Sequence, residues 1–357
     1  MILTPEKILL SIFALTFAVG AIDHLCGGKL GLGKKFIEGL NTYAPLFLTM
    51  AGFLVLAPLI AKLLSSGAAA VFTAVGADPG LFPGMILACD NGAYPLAQSM
   101  GIAPEAAGFG GMLLGSLMGA NVICMPMVLQ LMQKADRPHY FRGLMYGVIV
   151  MPIALLAGGV CAGYSMKFIL LQMPLLLALS VIAALLLKFV PELLIKCLTV
   201  FAKVMEVISM SGVIVAFFAE LSGIKIACLT PIGDAVLIIG NIALLLGGVY
   251  VFTAILTRLL GKVMPGICRL LKVNEVAVVG LLTTLANSIP TWSMIKDMDE
   301  RGKQLNCAFM ASAAFMLGDH LAYCGAAAQE LIFPMITAKL TGGVLASALV
   351  MYLWRNK

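Results

Sequence analysis

Long apolar stretches recur along almost all of this 357-residue chain, and short polar connections separate them. The stretch 168–187 has 20 residues without a charge, which as an α-helix is enough to cross the roughly 30 Å hydrocarbon core of a bilayer. The pattern predicts an all-α, polytopic transmembrane protein, with residues 1–357 forming one integral membrane domain. About eleven apolar segments are predicted, at 8–25, 45–64, 83–100, 108–132, 143–164, 168–187, 197–221, 234–257, 277–294, 305–326 and 331–353.

Two of these segments, 83–100 and 277–294, carry polar and helix-breaking residues in their middle. The first contains Asp90-Asn91-Gly92, and the second contains Asn287-Ser288-Ile289-Pro290. Paired interrupted helices at matching positions of two halves are typical of the substrate site of secondary transporters. We therefore expect both segments to be re-entrant, so that each enters and leaves the membrane on the same side.

The distribution of lysine and arginine favours this topology. If every segment crossed, these residues would divide almost evenly between the two sides, whereas bacterial membrane proteins concentrate them in cytoplasmic loops. With two re-entrant segments, the positive charges in the connections fall on one side except for Lys7, Lys62, Lys167 and Lys225. The pattern predicts a bacterial inner-membrane protein with its N-terminus outside and its C-terminus in the cytoplasm.

The same topology makes the second half of the chain enter the membrane in the opposite orientation to the first. A short sequence echo supports two related halves, because Ala61-Lys62-Leu63-Leu64 resembles Thr257-Arg258-Leu259-Leu260. We expect an inverted repeat, an arrangement common among secondary transporters. The predicted units are repeat one at 1–165, a linker helix at 166–190 and repeat two at 191–357.

Composition excludes several other classes of protein. Only 11% of the residues are charged, against about 25% in ordinary soluble domains, and the mean hydropathy is +1.05. The net charge of +6 lies in scattered connections, so no nucleic-acid partner is expected. The nine cysteines have no metal-ligand spacing, and no nucleotide-binding or hydrolase motif occurs. We predict no cofactor and no enzymatic activity.

The polar residues inside apolar segments are the candidate site. An ionisable side chain within the membrane costs roughly 2.5–3.5 kcal/mol on insertion scales, so it usually faces a cavity or a solute pathway. The predicted substrate-binding residues are Asp90, Asn91, Asn121, Asn287, Ser288, Asp319 and His320.

Each candidate also has a purely structural interpretation. Asn121 could serve as an interhelical hydrogen bond. Asn287 and Ser288 could satisfy the backbone broken before Pro290. Asp90 and Asp319 could form buried ion pairs or hydrogen-bond locks, and His320 could orient Asp319 or simply pack.

Several motifs resemble those of the ethanolamine permease family of bacterial ethanolamine-utilisation operons. They are LACDNGAYP at 87–95, LANSIP at 285–290, KDMDERGK at 296–303, NCAF at 306–309 and FMLGDHL at 315–321. The similarity runs along nearly the whole chain. It implies a cytoplasmic-membrane protein that admits ethanolamine to the cell, with Asp90 and Asn91 on the family's first broken motif, Asn287 and Pro290 on its second, and Asp319 and His320 on its third.

Ethanolamine is a primary amine and is mostly protonated near neutral pH. Asp90 and Asp319 would bind its ammonium group, and the asparagines and Ser288 its hydroxyl group. We expect transport by alternating access past Asp90, Asn287 and Asp319. The alternatives are a proton- or sodium-coupled symporter of another small amine or polar solute, a membrane enzyme acting on an ethanolamine lipid head group, and a membrane scaffold. A homo-oligomer is compatible with the sequence.

Overall fold

The computed structural model describes residues 4–261 and 263–355, except for the side chains of Ser65, Ser66 and Arg355. All regular structure in these residues is helical, which confirms the all-α prediction. The α-helices are α1 (Pro5–Leu25), α2 (Leu32–Leu40), α3 (Tyr43–Ala74), α4 (Leu81–Ile86), α5 (Tyr94–Met100), α6 (Ala120–Leu131), α7 (Arg137–Cys161), α8 (Met166–Phe189), α9 (Pro191–Ser222), α10 (Ile232–Leu260), α11 (Met264–Leu271), α12 (Glu275–Ala286), α13 (Ser288–Met294), α14 (Glu300–Ala313), α15 (Asp319–Ala327) and α16 (Ile332–Arg355). Segments Cys89–Ala93 and Ala107–Gly119 have the wider π-helical winding, and Lys134–Asp136, Ile295–Asp297 and Gln329–Leu331 are 3₁₀ turns.

Within the described residues, eight helical stretches are long and apolar enough to cross a membrane. They correspond to eight of the predicted apolar segments and confirm a polytopic membrane protein. The other three segments, 83–100, 277–294 and 305–326, are each divided into shorter helices. The third division was not expected. It lies between α14 and α15, where the C-cap Ala314 has a non-helical ψ of 137° and Phe315, next in the chain, has a positive φ of 60°.

Small residues let the helices approach closely, as is common in membrane proteins. A methyl group on Gly52 of α3 would lie 1.7 Å from the carbonyl oxygen of Ser209 in α9. A methyl group on Gly143 of α7 would lie 2.4 Å from the carbonyl carbon of Cys307 in α14. Helices α7, α14 and α16 pack against one another, and α1 and α2 pack against α10. These contacts build a frame around the broken segments.

The first broken segment is a hairpin, Leu81–Met100, whose two ends are held together by one carboxylate. Asp78, just before it, accepts hydrogen bonds from the backbone amide of Ala103 (2.8 Å) and from that of Ile102 (3.2 Å), just after it. The amide of Gly80 donates to the same carboxylate at 2.8 Å. The chain therefore leaves the hairpin where it entered.

The second broken segment is also a hairpin, Glu275–Met294. Asp299, beyond its end, accepts a hydrogen bond from the backbone amide of Asn274, before its start, at 2.7 Å. Within the hairpin, the hydroxyl of Thr291 donates to the carbonyl oxygen of Gly280 at 3.1 Å, so α13 lies back against α12. Both hairpins therefore have the geometry that re-entrant segments require.

Candidate functional site

The tip of the first hairpin is set by backbone conformation. Gly92 has φ 101° and ψ −4°, a region that residues with a side chain rarely adopt. A Cβ atom there would also lie 2.8 Å from Cβ of Phe53. The chain changes direction at this glycine, and the turn holds the preceding Asp90 in the protein interior.

Asp90 lies beside His320, which comes from α15 in the second half of the chain. The Oδ1 atom of Asp90 is 3.9 Å from Nε2 of His320, and the two residues are 8% and 3% exposed. Among the described residues, neither Asp90 Oδ1 nor His320 Nδ1 has a hydrogen-bond partner. A buried carboxylate oxygen without a partner is costly, so this atom is well suited to bind a ligand.

Asp319 is the first residue of α15 and is half-buried. Its carboxylate interacts electrostatically with that of Asp90. Two carboxylates that act on each other in a buried region favour the binding of a cation, because a cation relieves their mutual repulsion. The sequence-predicted residues Asp90 and His320 therefore form a cluster, and Asp319 belongs to it as the residue that precedes His320 in α15.

A small cavity near this cluster is lined by two more predicted residues, Asn121 and Ser288. Asp90, Asp319 and His320 do not line it, but the ring of its wall residue Phe315 lies 5.7 Å from that of His320. The Asn121 amide donates to the carbonyl oxygens of Leu117 (2.7 Å) and Ala311 (2.6 Å), so it makes the interhelical bond that the structural interpretation proposes. Ser288 is fully buried, and its Oγ has no hydrogen-bond partner among the described residues. The cavity volume is about 20 Å³, enough for a single water molecule.

The same cavity is lined by Lys339, which the sequence analysis does not select. Lys339 lies within α16, is 1% exposed, and donates from Nζ to the carbonyl oxygen of Ser116 at 2.6 Å. Its charge acts on Asp90 and His320. The signal that could have identified it is the one that selects Asp90, an ionisable residue inside an apolar segment.

The remaining two predicted residues have other surroundings. Asn287 is the N-cap of α13, and its Oδ1 accepts from the backbone amide of Ile289 at 2.9 Å. It lines a separate opening of about 410 Å³ that also contains Tyr250 and Glu38. Asn91 is half-buried beside Asp90 at the tip of the first hairpin.

The two hairpins exchange contacts across the halves of the chain. The tip of the first hairpin packs against α15, which follows the second hairpin, and α13 of the second hairpin packs against α6, which follows the first. The tips are thus supported by elements of the opposite half. The cluster lies where the first tip meets α15, and the cavity lies where α13 meets α6.

The Cys89 thiol, the Asp90 carboxylate and the His320 imidazole have ligand atoms within 4.8 Å of one another, a spacing compatible with a metal ion. The ammonium group of Lys339 acts on all three side chains and opposes a divalent cation. A small organic monocation fits this charge pattern better.

Comparison with known proteins places these residues in a family context. A protein-family model described as "Ethanolamine utilisation protein, EutH" matches residues 6–353. A "Probable ethanolamine permease EutH" of Listeria monocytogenes is 40% identical over 350 residues, which cover 98% of this chain and 94% of that protein.

Two further relatives match over similar lengths. A "Probable ethanolamine permease EutH" of Salmonella typhimurium is 38% identical, over 90% of this chain and 86% of its own. The "Uncharacterized protein YxeR" of Bacillus subtilis is 34% identical, over 97% of this chain and 94% of its own. No solved structure matches the chain.

Proposed function

The chain belongs to the EutH family of ethanolamine utilisation proteins, and on this premise we propose that it carries ethanolamine across a bacterial cytoplasmic membrane as the ammonium cation. A permease moves its solute chemically unchanged, so the protein is a transporter and not an enzyme. The relatives named as probable ethanolamine permeases support the substrate, and the eight apolar helices support the membrane location.

The observation on which this proposal mainly rests is the buried Asp90 carboxylate with an unpartnered Oδ1 atom. Ethanolamine presents an ammonium group two carbons from a hydroxyl group. The ammonium would donate to Asp90 Oδ1, and Asp319 would add a second negative charge nearby. Asn91, Asn121 and Ser288 supply polar groups for the hydroxyl.

Alternating access is the mechanism that best fits the cavity. A volume of about 20 Å³ holds a single water molecule, which is too little space for a molecule of four heavy atoms. The walls must therefore separate for ethanolamine to enter. The opening lined by Asn287 and Tyr250 gives Asn287 a role on the route to the site rather than at its centre.

The order of the elements supports an inverted repeat. A hairpin clamped at its base comes after a long helix in each half: the first hairpin follows α3, and the second follows α10 with the short α11 between them. The helix that ends each half, α7 or α16, packs against the other. In the proposed topology the two hairpins enter from opposite faces, and the N-terminus lies outside.

The test is uptake of labelled ethanolamine by proteoliposomes, with an imposed inside-negative membrane potential. A potential of 100 mV is worth roughly 2.3 kcal/mol per charge, so uptake of the cation should rise with the potential and the product should be unchanged ethanolamine. If Asp90 binds the cation, Asp90→Asn should lower this uptake. Asp297→Asn is its matched control, because Asp297 is exposed. Uptake that does not depend on the membrane potential would overturn the proposal that the cation is the transported species.

A second experiment, with an imposed pH gradient, distinguishes the uncoupled facilitator from a symporter that couples transport to protons. The Asp90–His320 pair is the feature that would favour a proton-coupled symporter. Accumulation that follows an imposed proton gradient at zero membrane potential would support coupling, and accumulation that follows only the membrane potential would support a facilitator.

Single cysteines near Lys134 and Arg301 test the topology, because both positions are expected to react only from the cytoplasmic side.

A further inference from the structure

Lys339 is the one positively charged side chain that is buried in the site described above, and the proposed substrate is also positively charged. It lies in the interior of α16, lines the cavity of Asn121 and Ser288, and is 1% exposed. Its printed hydrogen bond is to a backbone oxygen, that of Ser116. No carboxylate of the described residues lies within 4.0 Å of its Nζ, so it is not locked in a direct ion pair.

A buried cation without a direct partner is costly unless neighbouring charges compensate for it. The neighbours of Lys339 provide that compensation at longer range. Asp90, Cys89 and Cys124 interact with it electrostatically, and Asp90 in turn interacts with Asp319. Asp90 therefore acts on both a fixed cation and a second carboxylate.

We propose that Lys339 sets the charge of the binding site. The inference rests on the proposed function, since it assumes that Asp90 and Asp319 bind an ammonium ion. When ionised, the two carboxylates bring two negative charges, and the protonated Lys339 side chain balances one of them. The site then has one net negative charge, which matches a monovalent ammonium such as ethanolamine and disfavours dications.

The wild-type protein itself gives the first test. Protonated 1,3-diaminopropane carries two charges on a skeleton similar in width to ethanolamine. Because the site has room for one positive charge, we expect the diamine to compete with labelled ethanolamine at least about tenfold more weakly than unlabelled ethanolamine does. Equal competition by the diamine would overturn the inference without any variant.

The second test changes the charge. Lys339→Met should lower ethanolamine uptake by about tenfold or more, because two uncompensated buried carboxylates remain, and should strengthen competition by the diamine. Combining Lys339→Met with Asp319→Asn returns the site to one negative charge, so uptake should recover relative to the single variant. Lys203→Met is the control, since Lys203 is an exposed residue paired with Glu206.

A purely structural role for Lys339 predicts other results. Lys339→Met would then be inactive with and without Asp319→Asn, and its diamine competition would match the wild type; either result overturns the inference. If Lys339→Met does not fold, Lys339→Arg, which keeps the charge, should retain the preference for the monovalent amine. Failure of the wild-type protein to take up ethanolamine would instead defeat the proposed function.

Discussion

Both hairpins reverse the direction of the chain within an apolar segment, but they do so with different residues. The first turns at Gly92, in a backbone conformation that favours glycine, and leaves the Oδ1 atom of Asp90 without a hydrogen-bond partner among the described residues. The second turns at Asn287, where φ is −151° and ψ is 117°, an extended conformation that any residue adopts. Two of its polar side chains are used internally, since Asn287 caps α13 and Thr291 bonds to Gly280, whereas the buried Ser288 Oγ has no partner among the described residues.

This difference indicates a division of roles. The first hairpin keeps a charged group available at a fixed position, which is what a binding site needs. The second hairpin satisfies its own broken backbone, and the charge on its side is supplied by Asp319 and His320 of the following helix. The first hairpin is therefore expected to bind the ammonium group, and the second to shape the site and offer Ser288 to the hydroxyl group.

The largest expected contrast is between the two tips. Asp90→Asn should lower uptake of dilute ethanolamine about ten- to 100-fold, because a hydrogen bond to a charged group is worth roughly 1.5–3 kcal/mol. Asn287→Ala should lower uptake less than about threefold, since its loss mainly removes a helix cap. Initial uptake rates in proteoliposomes measure both.

Asp319→Asn should have an intermediate effect, because it leaves the direct contact with Asp90 intact. Equal uptake by the wild type and Asp90→Asn would show that the ammonium binds elsewhere. Equal amounts of folded protein, measured by size-exclusion chromatography in detergent, are the necessary control.

The second contrast concerns the backbone of the first tip. Gly92→Ala should lower the free energy of unfolding by about 2 kcal/mol or more, because a positive φ costs a non-glycine residue roughly 1–3 kcal/mol and the new Cβ would press on Phe53. Gly163→Ala is the matched control, with φ 72° and nothing within 4 Å of the added atom. Thermal unfolding in detergent should place Gly92→Ala below Gly163→Ala, and the reverse order would contradict the contact with Phe53.

The third contrast compares Asp78 and Asp299, the carboxylates that hold together the two ends of the first and the second hairpin. Asp78 is buried and accepts three backbone amides, whereas Asp299 is half-buried and accepts those of Asn274 and Gly302. Each Asp→Asn change replaces an acceptor oxygen with a donor and leaves an amide unpaired, at a cost of about 1–3 kcal/mol. We expect Asp78→Asn to be the more destabilising, as measured by the midpoint of thermal unfolding, and equal midpoints would show that burial does not distinguish the clamps.

The smallest effect is expected inside the second hairpin. Thr291→Val keeps the shape of the side chain but removes its hydrogen bonds with Gly280 and Thr284. The expected loss is about 1 kcal/mol of stability with little change in uptake. Thr199→Val on the exposed face of α9 provides the baseline. A large loss of uptake would show that the second hairpin binds the substrate directly.

The sequence predicts much of this architecture because hydrophobicity and charge act locally. Apolar length identifies the membrane helices, and Asp90 and Asp319 stand out because charges are rare in such segments. The close approach of Asp90 and His320 is not visible in the sequence, since it depends on how the first tip packs against α15. Asp78 looks like an ordinary turn residue in Asp78-Pro79-Gly80, because its partners Ile102 and Ala103 lie much further along the chain.

Lys339 was missed for a different reason. The charge pattern was used to assign sides of the membrane, and a lysine within an apolar segment contributes nothing to that assignment. Its position inside α16 could have been selected from the sequence, but its proximity to Asp90 could not. The same limit applies to Asn287, whose amide could equally have faced the cluster.

The walls of the small cavity include Ala120, Ala311 and Ala314. Alanine has no side-chain rotamers, so these walls cannot swing aside one residue at a time. Room at these three positions is created only when the backbone of segments such as α6 and α14 moves, and such collective displacements take microseconds to milliseconds. Turnover should therefore be paced by helix movement, and single-channel conductance is not expected from this protein.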